Sequence, residues 1–174
     1  MIAKYSVVTR IIHWITAMLV VAVFALGPDD VDEMVNPSFD LGLQAHETLG
    51  LAVLGLTILR LIWNLVDPNR PDIHMSRAMK IAAKTTQGVL YLLLLSVPLT
   101  AVLGTWLEGD SLSLILNKII VSPVAPIENL GERLLDIHPV LADILMWLTA
   151  AHAGAGLFHH YILKDGVLRT MLPK

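Results

Sequence analysis

The chain has 174 residues, 55% of them hydrophobic and 16% charged, with a formal net charge of −3 and a mean hydropathy of +0.68. An average soluble domain is about 25% charged, so this composition excludes a disordered chain and argues against an ordinary soluble enzyme. The absence of cysteine rules out disulfides, thiolate catalysis, iron–sulfur clusters and thiolate zinc sites, leaving seven histidines for any transition-metal chemistry.

Four apolar runs are each long enough to cross a bilayer at about 1.5 Å per residue. The first covers about 7–27 and is closed by Pro28-Asp29-Asp30, and the second covers about 41–65, followed by Asp67-Pro68. The third and fourth cover about 85–107 and 139–163. None alternates with period 2, and each is about twice the length of a barrel strand. The expectation is an all-α protein: one four-helix transmembrane bundle spanning 1–174. Pro98 falls inside the third run, where a membrane helix tolerates it. In the 108–137 connection, Leu112-Ser113-Leu114-Ile115-Leu116 reads as a short piece on the membrane surface. It is not a fifth span, because Glu108, Asp110 and Lys118 bracket it closely.

Charge sets the expected topology. The N-terminus, the 60–84 connection and the tail hold ten basic residues and three acids, a net of +7; the other side has two bases and twelve acids, a net of −10. Positive-inside partitioning then puts Met1 and Lys174 in the cytoplasm. Cleavage of the first run as a signal peptide would strand the C-terminus opposite its basic residues, so that run is read as a retained span.

Histidines at bilayer depth are costly and usually functional. His13 lies in the first run, His46 early in the second, His138 at the start of the fourth and His152 in its middle. Position along each helix pairs His13 with His152 toward the cytoplasm and His46 with His138 toward the outside. His138 and His152 are fourteen residues apart, about 21 Å and 40° short of four turns, so one helix face serves both levels. That is the arrangement of two bis-histidine b-type haems in a four-helix bundle. Each of the four has a small residue one turn later (Ala17, Gly50, Ala142 and Gly156), leaving room for a flat macrocycle. A structural protein or small transporter whose histidines only hydrogen-bond is the competing reading. Arg10 and Arg60, near the cytoplasmic ends, are read as partners of haem propionates or as snorkelling side chains. His159 shares a face with His152, whereas His160 points elsewhere.

The stretches Tyr5-Ser6 and Ile12-His13-Trp14, His46 with Gly50, Arg60-Leu61, Leu90-Tyr91 to Pro98-Leu99, and His159-His160-Tyr161 to Lys164-Asp165 occur in an order that resembles the bacterial cytochrome b561 family. The resemblance covers nearly the whole chain and implies His13, His46, His138 and His152 as axial ligands of two haems b. One position departs: a histidine usual in the family four residues before Tyr91 is Gln87 here. The resemblance further implies an inner-membrane superoxide oxidase, passing electrons from periplasmic superoxide to ubiquinone. Lys118 and Arg133 are the candidates for steering superoxide, and His159, Arg77 and His74 are candidates for quinone or proton contacts. The alternative is a quinol-linked cytochrome b subunit exchanging electrons with a separate periplasmic redox protein, which the acidic outer side would suit. The expected partners are lipid and quinone, with no nucleic acid.

Overall fold

A backbone inside a bilayer must satisfy its own polar groups, and helices do so within a single segment. The computed structural model describes residues 4–27, 41–67, 71 and 75–172. Its four long helices are α1 (Val7–Ala25), α2 (Leu41–Val66), α3 (Arg77–Glu108) and α4 (Glu128–Phe158), the last extended by a π-helical turn over His159–Leu163. All four are long and apolar enough to cross a membrane. A two-stranded hairpin, β1 (Leu112–Leu114) with β2 (Lys118–Ile120), lies between α3 and α4, and a short helix α5 (Val167–Met171) follows α4. Met1, Pro28-Asp29-Asp30, Pro68, His74 and Lys174 lie outside the described residues.

Two helices are longer than their apolar runs. α3 begins at Arg77 rather than near 85, because the Ser76 hydroxyl caps it by accepting from the Met79 N–H at 3.3 Å. α4 begins at Glu128 rather than at Pro139, its acidic first residue complementing the helix dipole. His138 therefore sits well inside α4, and Pro139 is carried within the helix. Apolar runs measure membrane depth, not helix length. The short piece expected at 112–116 is not a fifth span; it forms half of the hairpin, pairing Leu112 with Ile120 and Leu114 with Lys118. Leu116 and Asn117 turn it with φ of 62° and 54°.

The helices follow one another around the bundle, with α3 on α4 and α1 on α2 as the intimate pairs. α1 touches α4 at few points, and α2 and α4 hardly meet. A core of Val20, Val53, Leu93, Leu94 and Leu145 draws one or two residues from every helix. Polar contacts hold the two ends. At the end bearing the chain termini, the buried Asp67 carboxylate accepts from Ser6 (2.6 Å), Thr9 (2.7 Å) and the Trp63 indole (3.1 Å), tying the last turn of α2 to the first of α1. The unspent carbonyls at the end of α5 are also taken up by α1: Arg10 donates to Leu172 at 2.9 Å and Trp14 to Met171 at 2.9 Å. At the other end, Glu47 accepts from the Ser113 N–H and Thr48 from the Ile115 N–H, seating the hairpin on α2.

The α3–α4 contact depends on glycine. A Cβ on Gly131 would stand 2.7 Å from the Glu108 backbone nitrogen and 2.9 Å from the Leu107 carbonyl carbon. Backbone cannot yield as a flexible side chain does, so Gly131→Ala is expected to cost about 1–3 kcal/mol. At Gly55 an added Cβ would meet nothing within 4 Å. Thermal unfolding in detergent should show a lower Tm for Gly131→Ala and an undiminished one for Gly55→Ala; equal melting would contradict this packing.

Candidate functional site

Each neutral imidazole has one N–H to donate and one lone pair to offer, and both need partners at membrane depth. The structure brings the four intramembrane histidines together as two facing pairs. The ring centres of His13 and His152 are 6.4 Å apart at 80°, and those of His46 and His138 are 6.1 Å apart at 83°. A metal between two imidazoles, with bonds of about 2 Å and each ring centre about 1.1 Å behind its nitrogen, requires a separation of about 6.3 Å. Both pairs meet that requirement. Among the described residues no group of three metal-ligating side chains gathers at one point. Two-nitrogen donor sets of this kind suit the axial positions of a macrocycle that supplies its own equatorial ligands.

The hairpin-end pair is braced from behind. His46 Nδ1 lies 2.9 Å from the Val23 carbonyl of α1, and His138 Nδ1 lies 2.9 Å from the Val97 carbonyl of α3. A carbonyl can only accept, so each Nδ1 carries the proton and each Nε2 keeps its lone pair for a metal. Gly27 packs against the His46 ring edge, where a Cβ would be 3.6 Å from Cε1. At the termini end the His13 ring meets Trp14 edge-on at 5.5 Å, and His13 Nδ1 has no hydrogen-bond partner among the described residues.

Space for a flat group lies along these pairs. Helices α1 and α2, which carry His13 and His46, make little contact with α4. Ala17, Gly50, Ala142 and Gly156 are all half-buried. Beside His46, a Cβ at Gly50 would meet no atom within 4 Å; at Gly156 the first contact is Leu168 Cδ1 at 3.8 Å.

The other candidates are dispersed. Lys118 on β2 and Arg133 on α4 are exposed at the hairpin end. Arg77 is exposed in the first turn of α3, Gln87 is exposed further along it, and His74 lies outside the described residues. His159, in the π-helical turn, pairs through Nδ1 with the Asp165 carboxylate. Partial burial would raise the Asp165 carboxyl, but hydrogen bonds from His159 and the Val167 N–H outweigh it and hold the carboxyl below its ordinary range. Arg10 donates to the Leu172 carbonyl at 2.9 Å. The Val23 and Val97 braces are backbone atoms and left no mark in the sequence. The Asp67 cluster left a faint one, a helix-capping serine with an acid at the end of the next span.

A membrane helical bundle carrying two opposed imidazole pairs has the form of a b-type cytochrome. The chain belongs to the prokaryotic cytochrome b561 family, whose profile matches residues 4–174. It is 32% identical over 175 residues to cytochrome b561 homolog 1 of Escherichia coli K12, covering 98% of both chains. It is 29% identical to the probable superoxide oxidase CybB of Yersinia pestis, covering 98% of this chain and 97% of that one. Cytochrome b562 of Cereibacter sphaeroides is 31% identical over 167 residues, covering 92% and 90% of the two chains. Membership identifies a multi-pass inner-membrane protein with a redox, electron-transport role, and it implies haem b.

The space at Gly50 gives a direct check. Gly50 is four residues from His46, about 40° around α2, whereas Gly55 is nine residues away, about 180° around on the opposite face. Gly50→Leu is expected to lower haem content per purified chain, measured by pyridine haemochrome, while Gly55→Leu leaves it unchanged. Full haem content in Gly50→Leu would contradict the placement.

Proposed function

We propose that the protein is a dihaem cytochrome b that transfers electrons from superoxide, at the hairpin end, to ubiquinone near the end bearing the termini. The observation that carries this reading is the two histidine pairs, each at the spacing of one iron. His13 with His152, and His46 with His138, would hold the two haems, and the bound haems would supply one-electron redox chemistry. Two imidazoles per iron leave no open coordination position, so the protein's task is to hold, insulate and orient. The +7 against −10 partition orients the hairpin end to the periplasm and both termini to the cytoplasm.

The reaction balances as two superoxide, one ubiquinone and two protons giving two dioxygen and one ubiquinol. Lys118 and Arg133 give the periplasmic face local positive charge for drawing in an anion. At the cytoplasmic end, the His159–Asp165 pair stands two turns beyond His152 and can relay protons, and Arg77 is available to a quinone headgroup. The relative described as a probable superoxide oxidase supports this substrate choice. A second reading, exchange with a basic periplasmic redox protein, is favoured by the exposed Asp110, Glu128, Glu132 and Asp136 around the hairpin end.

Stopped-flow mixing with superoxide separates the two. The native protein alone is expected to become reduced rapidly and to pass electrons to added ubiquinone. Lys118→Glu combined with Arg133→Glu should slow reduction about tenfold at low salt and less at high salt, with unchanged haem content. Slow reduction of the native protein that is insensitive to salt and to both substitutions would favour the partner-protein reading.

A further inference from the structure

α2 and α4 run in the same direction, and their inward faces keep one register. Along α2 the residues at seven-residue intervals are His46, Val53 and Arg60; along α4 they are His138, Leu145 and His152. Seven residues turn a helix by about 700°, 20° short of two turns, so each triplet shares a face. The first members face one another as rings, and the second members meet in the core cluster. The third members put Arg60 at the level of His152, on the face of α2 that bears His46.

Arg60 is held there by α3. Its guanidinium carbon lies 5.3 Å from the centre of the Tyr91 ring, and the Tyr91 hydroxyl accepts from Asn64, one turn beyond Arg60, at 2.7 Å. Arg60 Nε is buried without a hydrogen-bond partner, and among the described residues no carboxylate forms a salt bridge with Arg60. A guanidinium keeps its charge and offers five donors, and a ring face offsets only part of the cost of placing it in a membrane. An anionic oxygen is the partner the site lacks.

We propose that Arg60, seated on Tyr91, is the counter-charge for a propionate of the haem held by His13 and His152, and that it raises the reduction potential of that haem. A positive charge beside the periphery opposes the added positive charge of the ferric state and so favours the ferrous one. This rests on the dihaem reading. The same anionic oxygen could come from a reduced quinone headgroup, so the test is run with and without quinone.

Redox titration of the purified holoprotein, native and Arg60→Gln, Arg60→Lys and Tyr91→Phe, would be followed optically after quinone extraction and again after adding ubiquinone. A His138→Ala background, retaining the His13–His152 site, assigns the shifted component. Arg60→Gln is expected to move the equilibrium of that haem about tenfold toward the oxidised form, 59 mV for one electron, and to leave the other haem unmoved. Arg60→Lys should recover most of the shift, and quinone should not alter it. Unchanged potentials in Arg60→Gln with both haems bound would overturn the proposal, as would a shift that appears only with ubiquinone. Should Arg60→Gln not assemble, a small shift of the same haem in the same direction in Tyr91→Phe and Arg60→Lys supports the proposal, and none in either overturns it. Fewer than two haems in the native protein would instead contradict the dihaem reading itself.

Discussion

The architecture turns on what two opposed imidazoles demand inside a membrane. A lone histidine at that depth can be satisfied by a single carbonyl, but a facing pair with both Nδ1 protons spent on carbonyls presents two lone pairs to each other. A metal between the rings would take up both lone pairs. The His46–His138 pair has this form, because the Val23 and Val97 carbonyls fix both tautomers. α4 makes only sparse contact with α1 and α2. On the proposed reading this is expected, since helices that grip a group between them cannot also pack on each other. α3 packs closely on α4, through Gly104 and Gly131, and so anchors the helix that carries His138 and His152.

The seven-residue register divides the bundle into layers. One histidine pair occupies each outer layer, and Val20, Val53 and Leu145 fill the middle with Leu93 and Leu94 of α3. The middle layer puts apolar side chains between the two pairs. The two ends are not equivalent. Carbonyl bracing strengthens His46 and His138 as electron donors to a metal, which on the proposed reading favours the oxidised state at the hairpin end. Among the described residues His13 Nδ1 has no such partner, and Arg60 adds positive charge; on the same reading these together would favour the reduced state at the other end. Both differences point electrons from the hairpin toward the termini.

Much of this was legible in the sequence, because it rests on composition and period. Four apolar runs gave four helices, and the helical rise alone was enough to pair histidines that are 139 and 92 residues apart in the chain. Helix ends were less legible. The apolar run could not report the solvent-side turns of α3 capped by Ser76, nor the passage of α4 through Pro139. The hairpin was hidden because its three-residue strands are too short for alternation to register. Position alone left two readings of Arg60; the Tyr91 ring beneath it, and the lack of an acidic partner among the described residues, became visible only in three dimensions.

The central claim is that four histidines form two independent metal-ligand pairs, and haem stoichiometry across single variants tests it most directly. Native protein should bind two haems b per chain with low-spin, bis-imidazole electron paramagnetic resonance signals. His13→Ala and His152→Ala should each lose the same one of these signals, and His46→Ala and His138→Ala should each lose the other. Retention of both haems in all four variants, or loss of the same signal in His13→Ala and His46→Ala, would contradict the account.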